Sequence, residues 1–181
     1  MIYLVGGRAG EGKTTFSTMC CDLIESVGAP CGVFAFAQGV KDTARFMGWD
    51  GIKDEKGRTL LQAVGNAGRV YRKDLWVERT ICKMQERCGK DLLDGGAFFV
   101  DDWRFPNEEV VAKLMLGATN VKTIRIIRPE EFHALWGKFN YDDISESSLP
   151  LDRKYDYTID NKTNSLDALQ KLAASFFQEI R

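Results

Sequence analysis

Residues Gly7 to Thr14 read G-R-A-G-E-G-K-T and follow the short apolar run Ile2 to Val5. The octet fills every fixed position of G-x-x-x-x-G-K-[ST]. A strand before it and a helical pattern after it are the setting in which that motif closes around phosphate. Backbone N–H groups of the glycine-rich turn face the anion, and the positive end of the following helix points at it. Lys13 is placed to reach the β- and γ-phosphates, and the Thr14 hydroxyl to ligate Mg²⁺. The motif predicts a nucleoside triphosphate site.

Strand and helix signals alternate away from this point. Lys13 to Val27 carries apolar residues at helical spacing and stops at Gly28-Ala29-Pro30. Cys31 to Ala37 reads as a strand, Val40 to Met47 as a short helix, and Gly48 to Arg58 as a polar loop. Thr59 to Val64 and Lys73 to Cys88 read as helices, with Gly65-Asn66-Ala67-Gly68 as a turn between them. Ala97 to Val100 is a buried strand ending in Asp101-Asp102. Pro106 to Leu116 fits a helix with Pro in its first turn and Gly117 beyond its end. Val121 to Ile127 and Tyr155 to Ile159 are further strands, and Ser165 caps a last helix to about Ile180. Residues 130–150 read as a helical excursion or lid. The alternation predicts an α/β fold of three layers, α/β/α, around a parallel five-stranded sheet with a small lid, all in one domain over residues 1–181. Loops after such strands meet at one edge, where ligands bind.

Size and charge narrow the function. The chain has 181 residues, a formal net charge of −1 and a pI of about 5.9, which argues against a broad nucleic-acid or anionic-membrane footprint. No stretch approaches the length of a membrane span, and Met1 to Gly7 lacks the basic and long apolar regions of a secretory leader. The five cysteines include no C-x-x-C pair, and His133 is the single histidine. A disulfide framework and structural zinc are therefore not expected, and a reducing cytoplasm is. His133 reads as a surface or lid residue.

Phe98-Phe99-Val100-Asp101 has the Walker-B form, apolar residues and then an acid that would hold the Mg²⁺ water shell. Asp101 is the first candidate metal residue, although spacing alone does not separate it from Asp102. Arg104 could grip an anionic second substrate with its planar fork. Arg58 and Arg69 flank T-L-L-Q-A-V-G-N-A-G, and Arg128 ends a strand where the lid begins, as a lid or phosphate residue. A GTPase is disfavoured, since Asn161-Lys162-Thr163-Asn164 lacks the acid that reads guanine and no D-x-x-G follows Asp101.

With these residues in hand, the chain resembles the deoxynucleoside monophosphate kinases of tailed bacteriophages, the T-even type. The motifs carrying the resemblance are F-A-Q-G-V-K-D, G-W-D-G-I-K-D, R-T-L-L-Q-A-V-G-N, V-D-D-W-R-F-P-N-E, I-R-I-I-R-P, I-S-E-S-S-L-P and I-D-N-K-T-N-S-L-D-A-L, in that order after the P-loop. The resemblance implies a P-loop kinase fold and transfer of the γ-phosphoryl of ATP to a (deoxy)nucleoside monophosphate with Mg²⁺, in the host cytoplasm if the source is a phage. Gly10, Glu11, Gly12, Lys13, Thr14 and Thr15 would bind the ATP phosphates, and Asp160-Asn161-Lys162 would cradle adenine. Lys41, Arg58, Gly65, Asn66, Trp76, Asp102, Arg104 and Glu108 would form the acceptor site, with Lys13, Asp102 and Arg104 serving the transfer itself. The family has Thr where Asn66 stands and a lid His where Asp143 stands, so Asp143 receives no role. Neither stable nucleic acid nor a membrane is expected as a partner, and a homodimer is left open. Rival readings are a kinase of another small acceptor such as dephospho-coenzyme A, a P-loop ATPase of phage DNA metabolism, and a nucleotide-binding module without turnover.

Overall fold

The computed structural model describes residues 1–92, 95–129, 149–150, 153–163 and 165–181. Five strands form the sheet: β1 (Ile2–Gly6), β2 (Cys31–Phe34), β3 (Ala97–Trp103), β4 (Val121–Ile127) and β5 (Tyr157–Asp160). They lie in the order β2-β3-β1-β4-β5, with every pairing parallel. The helices are α1 (Lys13–Ser26), α2 (Ala37–Phe46), α3 (Glu55–Tyr71), α4 (Leu75–Cys88), α5 (Pro106–Leu116) and α6 (Leu166–Glu179).

Two apolar clusters make the layers. On one face of the sheet, Phe16, Cys20 and Ile24 of α1 and Leu169, Ala173 and Phe176 of α6 pack on Tyr3, Val5, Phe99 and Ile126. On the other, Val77, Ile81 and Met84 of α4 and Ala112 and Leu116 of α5 cover Ile2, Leu4, Phe98 and Val100. Both faces of β1 and β3 are thus dry, which is why these strands read as unbroken apolar runs rather than alternating ones.

Local chemistry sets the helix ends. Asp54 accepts from the Gly57 amide at 2.7 Å and starts α3. Ser165 Oγ accepts from the Ala168 amide at 3.4 Å at the start of α6. Pro106 opens α5, and Gly117 closes it with φ 89°.

Three expectations are corrected. The loop after Gly48 ends at Asp54 rather than Arg58, because Asp54 caps the helix there. The Gly65–Gly68 turn does not exist: α3 runs through it to Tyr71. Its glycines serve packing instead. A Cβ on Gly68 would lie 2.4 Å from the Trp76 ring, whose Nε1 donates to the Gly65 carbonyl at 2.9 Å. Tertiary contact with that indole outweighs the roughly 1 kcal/mol per glycine that favours a break. Finally, Cys21 and Cys31 form a disulfide between α1 and β2, with Cα atoms 5.3 Å apart. The two are ten residues apart in sequence, and only the fold lays α1 back along β2 and brings them together. Among the described residues no helix is long and apolar enough to cross a membrane. Except for Leu149 and Pro150, the lid segment 130–150 lies outside the described residues, His133 with it.

Candidate active site

Because all strands run the same way, the loops after β1 to β5 gather at one edge. The loop after β1 is shaped by glycine. Gly12 has φ 96°, a conformation L side chains rarely adopt, and a Cβ there would crowd Asn161 and Leu169. Lys13 opens α1 and folds back over the loop, its Nζ donating to the carbonyls of Gly7 at 2.8 Å and Arg8 at 2.7 Å.

Beside the loop lies a cavity of about 440 Å³ lined by Gly10, Gly12, Lys13, Thr14, Thr15, Arg128, Asn161, Thr163, Ser165, Leu166 and Leu169. Arg128 donates to the Gly10 carbonyl at 2.8 Å and so braces the loop from the end of β4. Asn161 is only 4% exposed and donates from Nδ2 to the Glu11 carbonyl at 3.1 Å. Its Oδ1 is buried without a hydrogen-bond partner among the described residues. Leu166 and Leu169 give this end of the cavity an apolar side, so it can take a flat heterocycle while the loop end takes anions.

Two of the residues expected around a nucleotide point elsewhere. The Glu11 carboxylate turns inward, accepting from the Arg8 amide at 2.5 Å and lying 3.9 Å from the buried Arg125 guanidinium. That pairing accounts for an arginine inside the apolar strand β4. Lys162 is exposed and bonds Asp160 at 2.9 Å, outside the cavity lining.

The acidic pair after Val100 divides by geometry. Leu4 pairs with Val100 but Gly6 with Trp103, so Asp101 and Asp102 share a β-bulge opposite Val5. Such a bulge re-aims side chains next to a site. Asp102 accepts from the Phe36 amide at 2.7 Å and the Ala37 amide at 2.9 Å, pinning the start of α2 to the end of β3. Burial raises its pKa against the pull of those amides. Asp101 is buried and makes no hydrogen bond or ion pair among the described residues. Asp101 is therefore the acid with a lone pair to spare. Thr14, at the exposed first turn of α1, likewise has a hydroxyl without a hydrogen bond among the described residues. These two groups fit the hydroxyl-plus-acid mode by which Mg²⁺ is held alongside phosphates. No three His, Cys, Asp or Glu side chains among the described residues form a metal cage, and that mode does not call for one.

A second group of residues faces the same edge. The ammonium of Lys53, before α3, lies in the fields of Lys41 from α2, Arg58 from α3 and Arg104 just past β3. Partial desolvation first, and then those three cations, lower its pKa. Arg58 Nε also donates to the Lys53 carbonyl at 3.0 Å. Glu108 accepts from the amides of Arg104 at 2.9 Å and Phe105 at 3.0 Å, fixing the backbone that carries Arg104. Burial pushes the Glu108 carboxyl up to about 7. The Arg69 guanidinium lies 5.5 Å from the Phe105 ring centre and ties α3 to the same turn.

The structure thus brings Lys41, Arg58 and Arg104 together and adds Lys53. In the sequence Lys53 lies inside the motif G-W-D-G-I-K-D, without a role of its own, just ahead of Asp54, which caps α3. Asn66 is exposed on α3, one residue from the buried Gly65. Trp76 is corrected: at 8% exposure, its ring lies against Gly68 and its N–H is spent on Gly65, so it is a prop under α3 rather than an open platform.

No family model and no curated protein matches the chain by sequence. Solved structures do match by fold. The APS kinase CysC of Mycobacterium tuberculosis, in complex with AMPPNP and APS, is 12% identical with a TM-score of 0.50, over 98% of this chain and 96% of that one. The shikimate kinase of Aquifex aeolicus is 13% identical with a TM-score of 0.52, over 99% and 98%. The chain has the P-loop kinase fold. A third structure, APE1195, is 16% identical with a TM-score of 0.55, over 99% of this chain and 96% of that one.

Proposed function

We propose that this chain transfers the γ-phosphoryl group of ATP to a nucleoside monophosphate, with deoxynucleotides the first acceptors and the diphosphate the product. What supports the reading is that Lys41 of α2, Arg58 of α3 and Arg104 after β3 all act electrostatically on Lys53, while the P-loop follows β1 of the same sheet. Cations from three elements suit an acceptor that is itself a phosphate. The likeness to APS kinase and shikimate kinase supports the fold on which such chemistry runs.

In this mechanism ATP lies with its phosphates in the loop and its base toward Asn161 and Leu169. A phosphate oxygen of the acceptor attacks the γ-phosphorus, and the bond to the β-γ bridging oxygen breaks to release ADP. The attacking oxygen is already anionic, so no general base is required. Catalysis is then positioning and charge stabilisation. Lys13 leaves the Gly7 and Arg8 carbonyls and stabilises the transferring group. Arg104, held by Glu108 through its backbone, orients the acceptor phosphate with its fork. Thr14 and Asp101 would hold Mg²⁺, which supplies charge neutralisation at the phosphates. Asn66, exposed on α3, is available to a base edge or sugar hydroxyl, and Trp76 keeps that helix in place.

A coupled ADP-release assay across the four deoxynucleoside monophosphates tests the reading, with dGMP and dTMP expected first by the family resemblance. Arg104→Ala should raise the acceptor KM or lower kcat while leaving the ATP KM nearly unchanged. Turnover of dephospho-coenzyme A and of none of the four would replace the acceptor and keep the fold. ATP hydrolysis that depends on DNA would replace the reaction class.

A further inference from the structure

Glu11 stands at a variable position of the P-loop, and the fold ties it down through backbone and side chain alike. Its amide donates to the Arg8 carbonyl at 3.3 Å, its carbonyl accepts from Asn161 Nδ2 at 3.1 Å, and its carboxylate accepts from the Arg8 amide at 2.5 Å. The side chain turns down rather than out, and the residue is 2% exposed. Gly7 makes the room. A Cβ there would fall 2.6 Å from Glu11 Oε2, 3.0 Å from the Ile126 carbonyl oxygen and 3.4 Å from Lys13 Cδ. The acid therefore lies against Gly7, next to the β4 backbone and the stem of Lys13.

A buried negative charge is the wrong sign beneath a loop that binds phosphate. In a site of low effective dielectric it repels the anion and carries a desolvation penalty of its own. Arg125 answers it. Strand β4 lays Arg125 beside Gly6, the last residue of β1 before the loop. The residue is 4% exposed, its Nη2 lies 3.9 Å from Glu11 Oε2, and its Nε is buried without a hydrogen-bond partner. At that separation the contact is coulombic rather than a hydrogen bond, so what Arg125 supplies to Glu11 is charge. The two arginines of I-R-I-I-R-P thus have different tasks. Arg128 lines the cavity and holds the Gly10 carbonyl, whereas Arg125 stands outside that lining and meets the acid beneath the loop.

We infer that Arg125 is a positioning residue of the nucleotide site that acts through Glu11: it offsets the carboxylate's charge and keeps it beneath Gly7, so that the loop stays open to phosphate. Without Arg125 the acid is an uncompensated buried charge, and its relief is rotation toward the Lys13 ammonium, the group the phosphates need. The loop's own carboxylate would then compete with nucleotide. The inference rests on the nucleotide half of the reading above and is independent of the acceptor.

The test uses the full chain with Arg125→Met, Arg125→Lys, Glu11→Gln and the double variant Glu11→Gln/Arg125→Met. ADP and the non-hydrolysable analogue AMPPNP would be titrated calorimetrically with Mg²⁺, with urea midpoints measured beside them. Arg125→Met should weaken both nucleotides at least about tenfold, the effect of one uncompensated charge near the phosphates. Arg125→Lys restores the charge and should bind within about threefold of wild type. Glu11→Gln keeps an oxygen for the Arg8 amide; it should weaken neither nucleotide, although its urea midpoint falls because Arg125 loses its counter-ion. The double variant should return to within about threefold of wild-type affinity, which independent structural contributions of the two residues would not produce. A lower midpoint for Arg125→Met at unchanged nucleotide affinity would make Arg125 a structural residue only and overturn the inference. A double variant that binds as weakly as Arg125→Met would overturn it too. Should Arg125→Met fail to fold, a double variant that folds and binds nucleotide sustains the inference, and one that stays unfolded overturns it. A wild type that binds neither nucleotide ends the nucleotide reading and this inference with it, whereas a failure to turn over any nucleoside monophosphate ends the acceptor reading alone.

Discussion

Asp102→Ala is the substitution that best separates chemistry from architecture at this site. The carboxylate accepts the Phe36 and Ala37 amides at 2.7 and 2.9 Å, and no other residue is described as bonding those two N–H groups. Truncation to Ala leaves both donors without their acceptor at the junction of β2, β3 and α2. An unsatisfied buried amide costs about 1–3 kcal/mol. Removing the carboxylate returns part of this, because burial raises its pKa and its charged form is already disfavoured. We therefore expect a net loss of about 2–4 kcal/mol, a large share of the 5–15 kcal/mol typical of a folded domain. Asp102→Asn keeps one acceptor oxygen and should lose about half as much. Urea unfolding followed by tryptophan fluorescence should show a lower midpoint at unchanged slope. The start of α2 carries Lys41 toward Arg104, so the acceptor KM should rise in both variants while the ATP KM holds. A normal midpoint for Asp102→Ala together with abolished turnover would refute this, and would make Asp102 a group acting directly on substrate or metal.

Two further perturbations probe the loop and the turn. Lys13→Ala should lower turnover by at least about 100-fold with the circular dichroism spectrum intact, since its ammonium acts on the transferring group; a folded variant with near-normal activity would remove the P-loop from the mechanism. Glu108 has a folded-state pKa of about 7 against an ordinary 4.5. The stability it contributes is thus complete below about pH 4.5 and is lost as pH rises through 7, by up to about 3 kcal/mol. Glu108→Gln should flatten that decline between pH 5 and 7.5 in urea midpoints, and a wild-type midpoint that climbs over this window relative to Glu108→Gln would show the sign to be wrong.

How much of this was legible follows from how local each signal is. The P-loop, the Pro106 start of α5 and the strand Val121–Ile127 are written in adjacent residues, and they stand where the sequence predicts them. The unbroken helix α3 is not, because what overrides Gly65 and Gly68 is an indole arriving from α4. The division of labour between Asp101 and Asp102 depends on a bulge set by β1, and no spacing along the chain encodes it. Lys53 sits among Asp50, Asp54, Glu55 and Lys56, where a one-dimensional reading averages the charges away.

The same averaging hides the character of the edge as a whole. A net charge of −1 describes a chain whose acids and bases balance, and several of the charged groups at this edge also bond the backbone. Asp102 and Glu108 take amide protons from Phe36, Ala37, Arg104 and Phe105, and Glu11 takes one from Arg8. Lys13, Arg58 and Arg128 give theirs to the carbonyls of Gly7, Arg8, Lys53 and Gly10. Bonds of this kind hold each side chain in position. A carbonyl can release a lysine to a phosphate at modest cost, whereas a carboxylate partner would compete with the phosphate for the same cation. An overall acidic protein can in this way present a site suited to ATP and to the monophosphate acceptor we propose for it.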